Sequence, residues 1–194
     1  MKVYKNLDEV ADLLQSGAVG VVPTDTLYGL VAKADDQAAV ARIHELKERT
    51  GKPGTIIAAN IDQLVGIGMK ARYLKAVEHF WPNPISVLIP CVELGWLHHG
   101  LGSVPARIPS NKNVHDFLKK TGPLQTSSAN LTGQPCAQTI EEAKEYFEDR
   151  VDFYVDGGDL NSREPSTVIR VVDDTVEVVR EGAVKINEAG RIII

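Results

Sequence analysis

A chain of 194 residues with 43% hydrophobic and 24% charged residues can bury a full core, and it is too apolar for disorder to be its main state. Its formal net charge of −5 excludes an overall positive field that would draw in nucleic acid, so any nucleotide or RNA contact depends on a local basic patch. Cys91 and Cys136 are far apart and have no Cys or His at ligand spacing, which indicates neither a zinc site nor a disulfide framework. Met1 to Lys5 lacks a signal peptide's apolar core, and no apolar run approaches the roughly 20 residues a membrane helix needs. The expected setting is a reducing cytoplasm without membrane contact.

Asn6 followed by Glu9 forms a capping-box pattern, and Leu7, Val10, Ala11, Leu13 and Leu14 make one apolar face of a helix that Gly17 ends. A β-branched strand over 18–22 follows, of the kind covered on both faces, and Pro23 ends its ladder. A second helix is predicted from Gln37 to Glu48 on the spacing of Val40, Ile43 and Leu46, then a strand over 55–59. Asn60 caps a short helix, residues 70–80 form another, and Trp81-Pro82-Asn83-Pro84 breaks the chain, with Asn83 expected in the left-handed conformation that Asn tolerates. A strand over 85–89 comes next, and the adjacent His98 and His99 read as surface residues, unsuited to an i, i+4 metal pair. A strand over 104–108, a helix around 112–120 and a strand over 123–127 repeat the alternation, and Thr139 with Glu142 caps a helix through Phe147. Thr167 to Val172 and Thr175 to Arg180 flank Asp173-Asp174 as a β-hairpin, so the expected sheet is mixed. No repeat or linker argues for two domains, and residues 191–194 are apolar enough to pack or pair. The fold class expected is α+β or α/β, a twisted mixed sheet flanked by helices, with residues 1–194 as one domain.

Four segments sit where predicted elements end. Thr24, Asp25, Thr26 and Tyr28 offer three hydroxyls and a carboxylate just beyond a strand, where open α/β sheets bind ligands; alone, the run reads equally as a solvated turn. Lys47, Arg49 and Lys52 suit a phosphate grip, or a basic helix end complementing its dipole. Thr126-Ser127-Ser128-Ala129-Asn130 supplies hydroxyls and an amide, or an ordinary turn. The fourth segment is Asp156-Gly157-Gly158 with Pro165-Ser166-Thr167 and Arg180-Glu181-Gly182.

In this order the segments are more specific than any one alone. The run Pro23-Thr24-Asp25-Thr26-Leu27-Tyr28-Gly29-Leu30, the Lys-x-Arg of Lys47 and Arg49 and the Ser-x-Asn of Ser128 and Asn130 resemble the YrdC-like threonylcarbamoyl-AMP synthase family in its short, single-domain form. Trp81-Pro82-x-Pro84, Ala106-Arg107-Ile108-Pro109, Ser166-Thr167-Val168 and Arg180-Glu181-Gly182 extend the resemblance over nearly the whole chain. It implies a YrdC-like fold and an enzyme that forms L-threonylcarbamoyl-AMP and pyrophosphate from L-threonine, bicarbonate or CO2, and ATP with Mg²⁺. A downstream threonylcarbamoyl transferase complex that modifies tRNA would consume the product.

Carried over residue by residue, Lys47 and Arg49 look catalytic, stabilising charge on the phosphates. Lys47, Arg49, Lys52, Ser103, Ser128, Asn130 and Arg180 look like nucleotide contacts. Thr24, Arg107 and Ser166 look like the threonine site, with Arg107 as partner of its carboxylate. The resemblance implies no protein-bound metal. Thr50-Gly51, Gly54, Asn83 and Cys136 depart from the family pattern, which bears on the loop after Arg49 and on a contact at Cys136. Two alternatives remain open here: a carbamoyl-adenylate-handling protein of the kind found in hydrogenase maturation, and an RNA-binding module of the same fold. Against the second stand the net acidic charge and the lack of aromatic residues around Lys47 to Lys52.

Overall fold

The computed structural model describes residues 2–48, 51–173, 175–187 and 189–193. Ten strands form one mixed sheet: β1 (Lys2–Tyr4), β2 (Gly20–Pro23), β3 (Tyr28–Lys33), β4 (Thr55–Ile57), β5 (Ile85–Pro90), β6 (Ser103–Arg107), β7 (Leu124–Ser128), β8 (Phe153–Val155), β9 (Thr167–Val172) and β10 (Thr175–Arg180). Their spatial order is β1-β8-β2-β3-β7-β4-β6-β5-β9-β10. A small antiparallel pair, β11 (Lys185–Ile186) and β12 (Ile192–Ile193), gives the apolar C-terminal residues their pairing; Ile194 lies outside the described residues. The helices are α1 (Ala11–Gln15), α2 (Gln37–Leu46), α3 (Ile61–Gly66), α4 (Ala71–Val77), α5 (Gly95–His98), α6 (Lys112–Thr121) and α7 (Ile140–Phe147).

Strand alternation divides the core between the two faces of the sheet. Val21, Leu30 and Tyr154 pack on one side with Ile43 of α2 and Phe147 of α7. Their chain neighbours Val22, Val31 and Phe153 pack on the other with Leu14 of α1 and Phe117 of α6. A third cluster joins α3, α4 and α5 to the strands from β4 to β9 through Leu64, Leu74, Leu97, Val87 and Ile169. Buried β-branched strands covered on both faces are what the sequence of β2 implies.

Local cap chemistry sets several boundaries. Asn60 accepts from Gln63 N–H, Asn111 from Val114 N–H and Thr139 from Glu142 N–H, and each starts its helix one residue later. Glu9 accepts from the Asn6 N–H at 2.9 Å, but residues 7–10 wind as a single 3₁₀ turn before α1, so the first helix is shorter and tighter than its periodicity suggests.

The apolar run of β2 turns at Thr24–Leu27 into the antiparallel β3, with Pro23 opposite Tyr28, a strand that the sequence reading does not contain. Two expectations change. Asn83 is not in the left-handed region, in keeping with the bias a following proline puts on its backbone; its amide instead donates to Phe80 O at 3.0 Å. His98 is buried rather than a surface residue: Nε2 lies 3.1 Å from Val92 O, and Nδ1 accepts from the N–H groups of Gly100 and Gly102, so the ring pins the turn after α5.

Candidate active site

The β2–β3 turn holds itself rigidly. Thr24 N–H donates to Leu27 O at 3.1 Å, the Thr24 hydroxyl donates to the same carbonyl at 2.8 Å, and Thr26 N–H donates to Thr24 Oγ1 at 3.2 Å. With Thr24 Oγ1 so committed, the 3.0 Å contact between the two hydroxyls is donated by Thr26, which leaves Thr26 oxygen able to accept. Tyr28 is structural: its buried hydroxyl accepts from Gly157 N–H and donates to Gly158 O, fixing the Asp156-Gly157-Gly158 turn, and burial raises its pKa.

Asp25 reaches across to β6. Its Oδ1 lies 2.8 Å from Arg107 Nη2, and the two side chains are only 4% and 3% exposed. Asp25 Oδ2 and Arg107 Nε have no further partner, so this buried pair makes one of the two parallel bonds that a carboxylate and a guanidinium can form. Burial holds the Arg107 pKa below that of ordinary arginine, and Asp25 opposes the shift.

Arg107 lines a cleft of about 160 Å³ with Thr24, Thr26, Ser128, Ser166 and Arg180. Arg180, at the end of β10, donates to Ser166 O at 2.6 Å, and the Ser166 hydroxyl is 2.9 Å from that of Ser86. Partial burial, then the neighbouring Arg107, lowers the Arg180 pKa. Among the described residues lining the cleft none is acidic, and two guanidiniums border it, that of Arg107 paired behind with Asp25. Gly182 lets the chain lie flat beneath it: a Cβ there would come within 2.2 Å of Pro165 O. Gly54 has a similar reason, since its Cβ would meet Thr126 O at 2.8 Å, which explains why no large side chain stands there.

Lys47 sits deeper than a solvent-facing clamp. It follows α2, where Glu48 turns the chain with φ 50°, and it is buried. Its ammonium donates to Ser128 O at 2.5 Å, Asn130 O at 2.8 Å and Asn130 Oδ1 at 2.9 Å, while the Thr132 hydroxyl donates to Lys47 O at 2.7 Å. Lys47 therefore ties the 128–132 turn to the end of α2. Ser128 Oγ donates to Asn130 Oδ1 at 2.6 Å, so the Ser-x-Asn side chains engage each other at the rim.

The structure thus brings Thr24, Arg107, Ser128, Ser166 and Arg180 to one cleft, with Lys47 and Asn130 directly behind Ser128. Ser103 starts β6 on the face of Pro105 and Arg107 but is not part of the lining, and Lys52 is exposed beside the lining residues Pro53 and Gly54. Arg49 lies outside the described residues. Asp25, Thr26 and Ser86 were not among the site residues read from the sequence; Asp25 stood in the hydroxyl cluster, but its partner lies 82 positions away.

A larger cavity, about 420 Å³, lies beyond the Pro23–Thr24 turn, but its Lys5 is already paired with Asp156 at 2.6 Å and Asp8 and Asp116 also line it. Among the described residues, no helix is long and apolar enough to cross a membrane, and no three His, Cys, Asp or Glu side chains gather as for a metal ion.

Fold and site define a mixed α/β protein with an anion-receptive cleft at the junction of a tight hairpin, two strand ends and a Ser-x-Asn turn. The model of the Sua5/YciO/YrdC family, described as "Telomere recombination", matches residues 12–182, and the chain belongs to that family. It is 30% identical to a threonylcarbamoyl-AMP synthase of Vibrio campbellii over 92% of this chain and 100% of that one. It is 31% identical to a threonylcarbamoyl-AMP synthase of Bacillus subtilis, covering 91% of this chain and 53% of that one. Among solved structures, Pyrococcus abyssi Sua5 complexed with L-threonine matches with a TM-score of 0.84 at 26% identity, over 95% of this chain and 58% of that one. The chain therefore spans little more than half the length of the latter two.

Proposed function

We propose that this protein is an L-threonylcarbamoyladenylate synthase, joining L-threonine, bicarbonate and ATP into threonylcarbamoyl-AMP, pyrophosphate and water. The observation that carries the reading is that Arg107 and Arg180 both line a cleft with no acidic side chain among its described residues, in a chain whose relatives bear the name of that activity. The cleft is smaller than the roughly 300–1,000 Å³ of drug-sized ligand sites, so it suits an amino acid, with the nucleotide extending along the Ser128 rim.

On this reading Arg107 takes the threonine carboxylate, and Thr24 with Thr26 and Ser166 surround the side chain. The amine, having lost a proton, attacks CO2 to give a carbamate. One carbamate oxygen attacks the α-phosphorus, the bond to the β-phosphate bridging oxygen breaks, and pyrophosphate leaves with the electron pair. Arg180 and Arg49 stabilise charge on the phosphates, with Ser128 and Asn130 at the rim and Lys52 and Ser103 as outer nucleotide contacts. Lys47, committed to the 128–132 turn, acts by holding that rim in place.

The described residues of the cleft lining include no carboxylate for a resident Mg²⁺, and on this reading the ion would arrive as the counter-ion of ATP, held by its phosphates. The continuous sheet from β1 to β10 supports residues 1–194 acting as one domain, and a tRNA-modifying transferase in the cytoplasm would consume the labile product. The test is pyrophosphate release by the purified chain. Release should require threonine and bicarbonate together, and release independent of threonine would remove the assignment.

A further inference from the structure

A hydroxyl stands in β5 where the strand pattern asks for a hydrocarbon. Ser86 interrupts the apolar run Ile85-Ser86-Val87-Leu88-Ile89 and is 0% exposed. It pairs in register with Val168 of β9, so its side chain shares the face of the sheet on which Val168 lines the cleft. Among the described residues its hydroxyl has one hydrogen-bond partner, Ser166 Oγ at 2.9 Å. Were Ser166 the donor of this contact, the Ser86 proton would be buried with nothing to accept it. Ser86 is therefore the donor.

Arg180 Nη2 donates to the same Ser166 oxygen at 3.3 Å, alongside its 2.6 Å bond to Ser166 O. A hydroxyl oxygen has two lone pairs, and both are thereby engaged. What Ser166 keeps is its proton, on a side chain that lines the cleft. The β2–β3 turn does the reverse to Thr26, whose proton goes to Thr24 Oγ1 at 3.0 Å because the Thr24 proton is given to Leu27 O. The cleft thus offers a hydroxyl set to donate and a hydroxyl set to accept. A ligand group that takes one hydrogen bond and gives one, an alcohol, satisfies both, and a methyl satisfies neither.

We propose that Ser86 is a positioning residue for substrate selection: by engaging one lone pair of Ser166 it sets that hydroxyl as a donor, which together with the Thr26 acceptor selects a substrate side chain bearing an alcohol. The inference rests on the reading of this cleft as the threonine site. Ser86 lies beneath the lining and acts through Ser166. Without the Ser86 hydroxyl, the Ser166 oxygen regains a lone pair, can accept as readily as donate, and no longer holds its proton in one direction. The preference for a hydroxylated side chain then falls.

The test compares threonine with 2-aminobutyrate, which keeps the carbon skeleton and lacks the hydroxyl, in pyrophosphate release by wild type, Ser86→Ala, Ser166→Ala and the double variant. Ser86→Ala should lower the threonine to 2-aminobutyrate ratio of kcat/KM by roughly fivefold. The change should lie mainly in KM for threonine, with KM for ATP within about twofold of wild type. In the Ser166→Ala background, Ser86→Ala should leave the ratio unchanged, because its effect runs through Ser166. Melting adds a readout independent of turnover: Ser166→Ala strands the buried Ser86 proton and should melt below the double variant. A ratio for Ser86→Ala equal to that of wild type, an effect of Ser86→Ala that persists undiminished without Ser166, or a Ser166→Ala protein at least as stable as the double variant would each overturn the role of Ser86. A wild type that releases no pyrophosphate with threonine would overturn the threonine reading, and the melting comparison would still decide whether Ser86 depends on Ser166.

Discussion

Asp25→Asn isolates the buried ion pair at the cleft. The change keeps the volume and one oxygen for Arg107 Nη2 but removes the charge that balances a guanidinium with 3% exposure. A hydrogen bond to a charged group contributes about 1.5–3 kcal/mol, and breaking a buried ion pair costs about 3–5 kcal/mol. Asparagine retains the bond in weakened form while Arg180 still repels Arg107, so a loss of about 3 kcal/mol is expected. For a chain of this length that is a Tm lower by about 6–12 °C. Arg107→Met should destabilise comparably by stranding Asp25. The double variant should cost far less than the sum, a coupling of about 2 kcal/mol or more. Urea denaturation of the four proteins, with m-values checked for constancy, measures this directly. Single variants within about 0.5 kcal/mol of wild type, or strictly additive losses, would refute the pairing as an energetic unit.

Other outcomes follow from the same geometry. Arg49→Ala should keep its Tm and lose roughly 30- to 1,000-fold in turnover, whereas Lys47→Ala should lose turnover and Tm together, because three acceptors around Ser128 and Asn130 are stranded; matching behaviour of the two variants would contradict the division of roles. Serine should be a poor but detectable substrate and 2-aminobutyrate poorer still, since losing a methyl forfeits about 1–3 kcal/mol and losing the hydroxyl strands buried polar groups; equal kcat/KM for 2-aminobutyrate and threonine would remove Thr24 and Thr26 from substrate recognition. Bare tRNA should bind weakly and be released by moderate salt, and a salt-resistant, sequence-selective complex would revive the RNA-module reading. Burial pushes the Cys91 thiol up to about 11 from 9.0, so the unfolded chain loses that proton first. Stability should fall as pH rises between those values, by at most about 1 kcal/mol per unit, and pH-dependent melts of Cys91→Ala should show a shallower alkaline decline.

What the sequence disclosed was what local chemistry encodes. Asn60, Asn111 and Thr139 announce their helices because a cap needs only its own first turn, and the β9–β10 hairpin was legible to the residue because two alternating runs flank Asp173 and Asp174. β3 is not legible in the sequence because its apolar run follows the hydroxyl cluster so closely that the turn reads as a strand end. β1 and β8, three residues each, are too short to show a period. The strand order, with β7 between β3 and β4, arises from tertiary pairing that no window along the chain contains.

The candidate site divides in the same way. Thr24, Arg107, Ser128, Ser166 and Arg180 were all named from motif order and meet in one cleft. The use of Asp25 to hold Arg107, and of Lys47 to hold a turn, depends on contacts spanning 81–83 positions. His44 and His99 show the same limit. His99 stands in the turn after α5, and folding sets its ring against His44 of α2, 55 positions away.

Mass spectrometry of the nucleotide product tests most directly whether this cleft joins threonine, inorganic carbon and AMP. With ¹³C-bicarbonate, threonine and ATP, the purified protein should form an adenylate carrying both the label and the threonine, absent when either is omitted and absent with Arg107→Met refolded to a native spectrum. An adenylate that forms without threonine, or one that lacks the label, would contradict it.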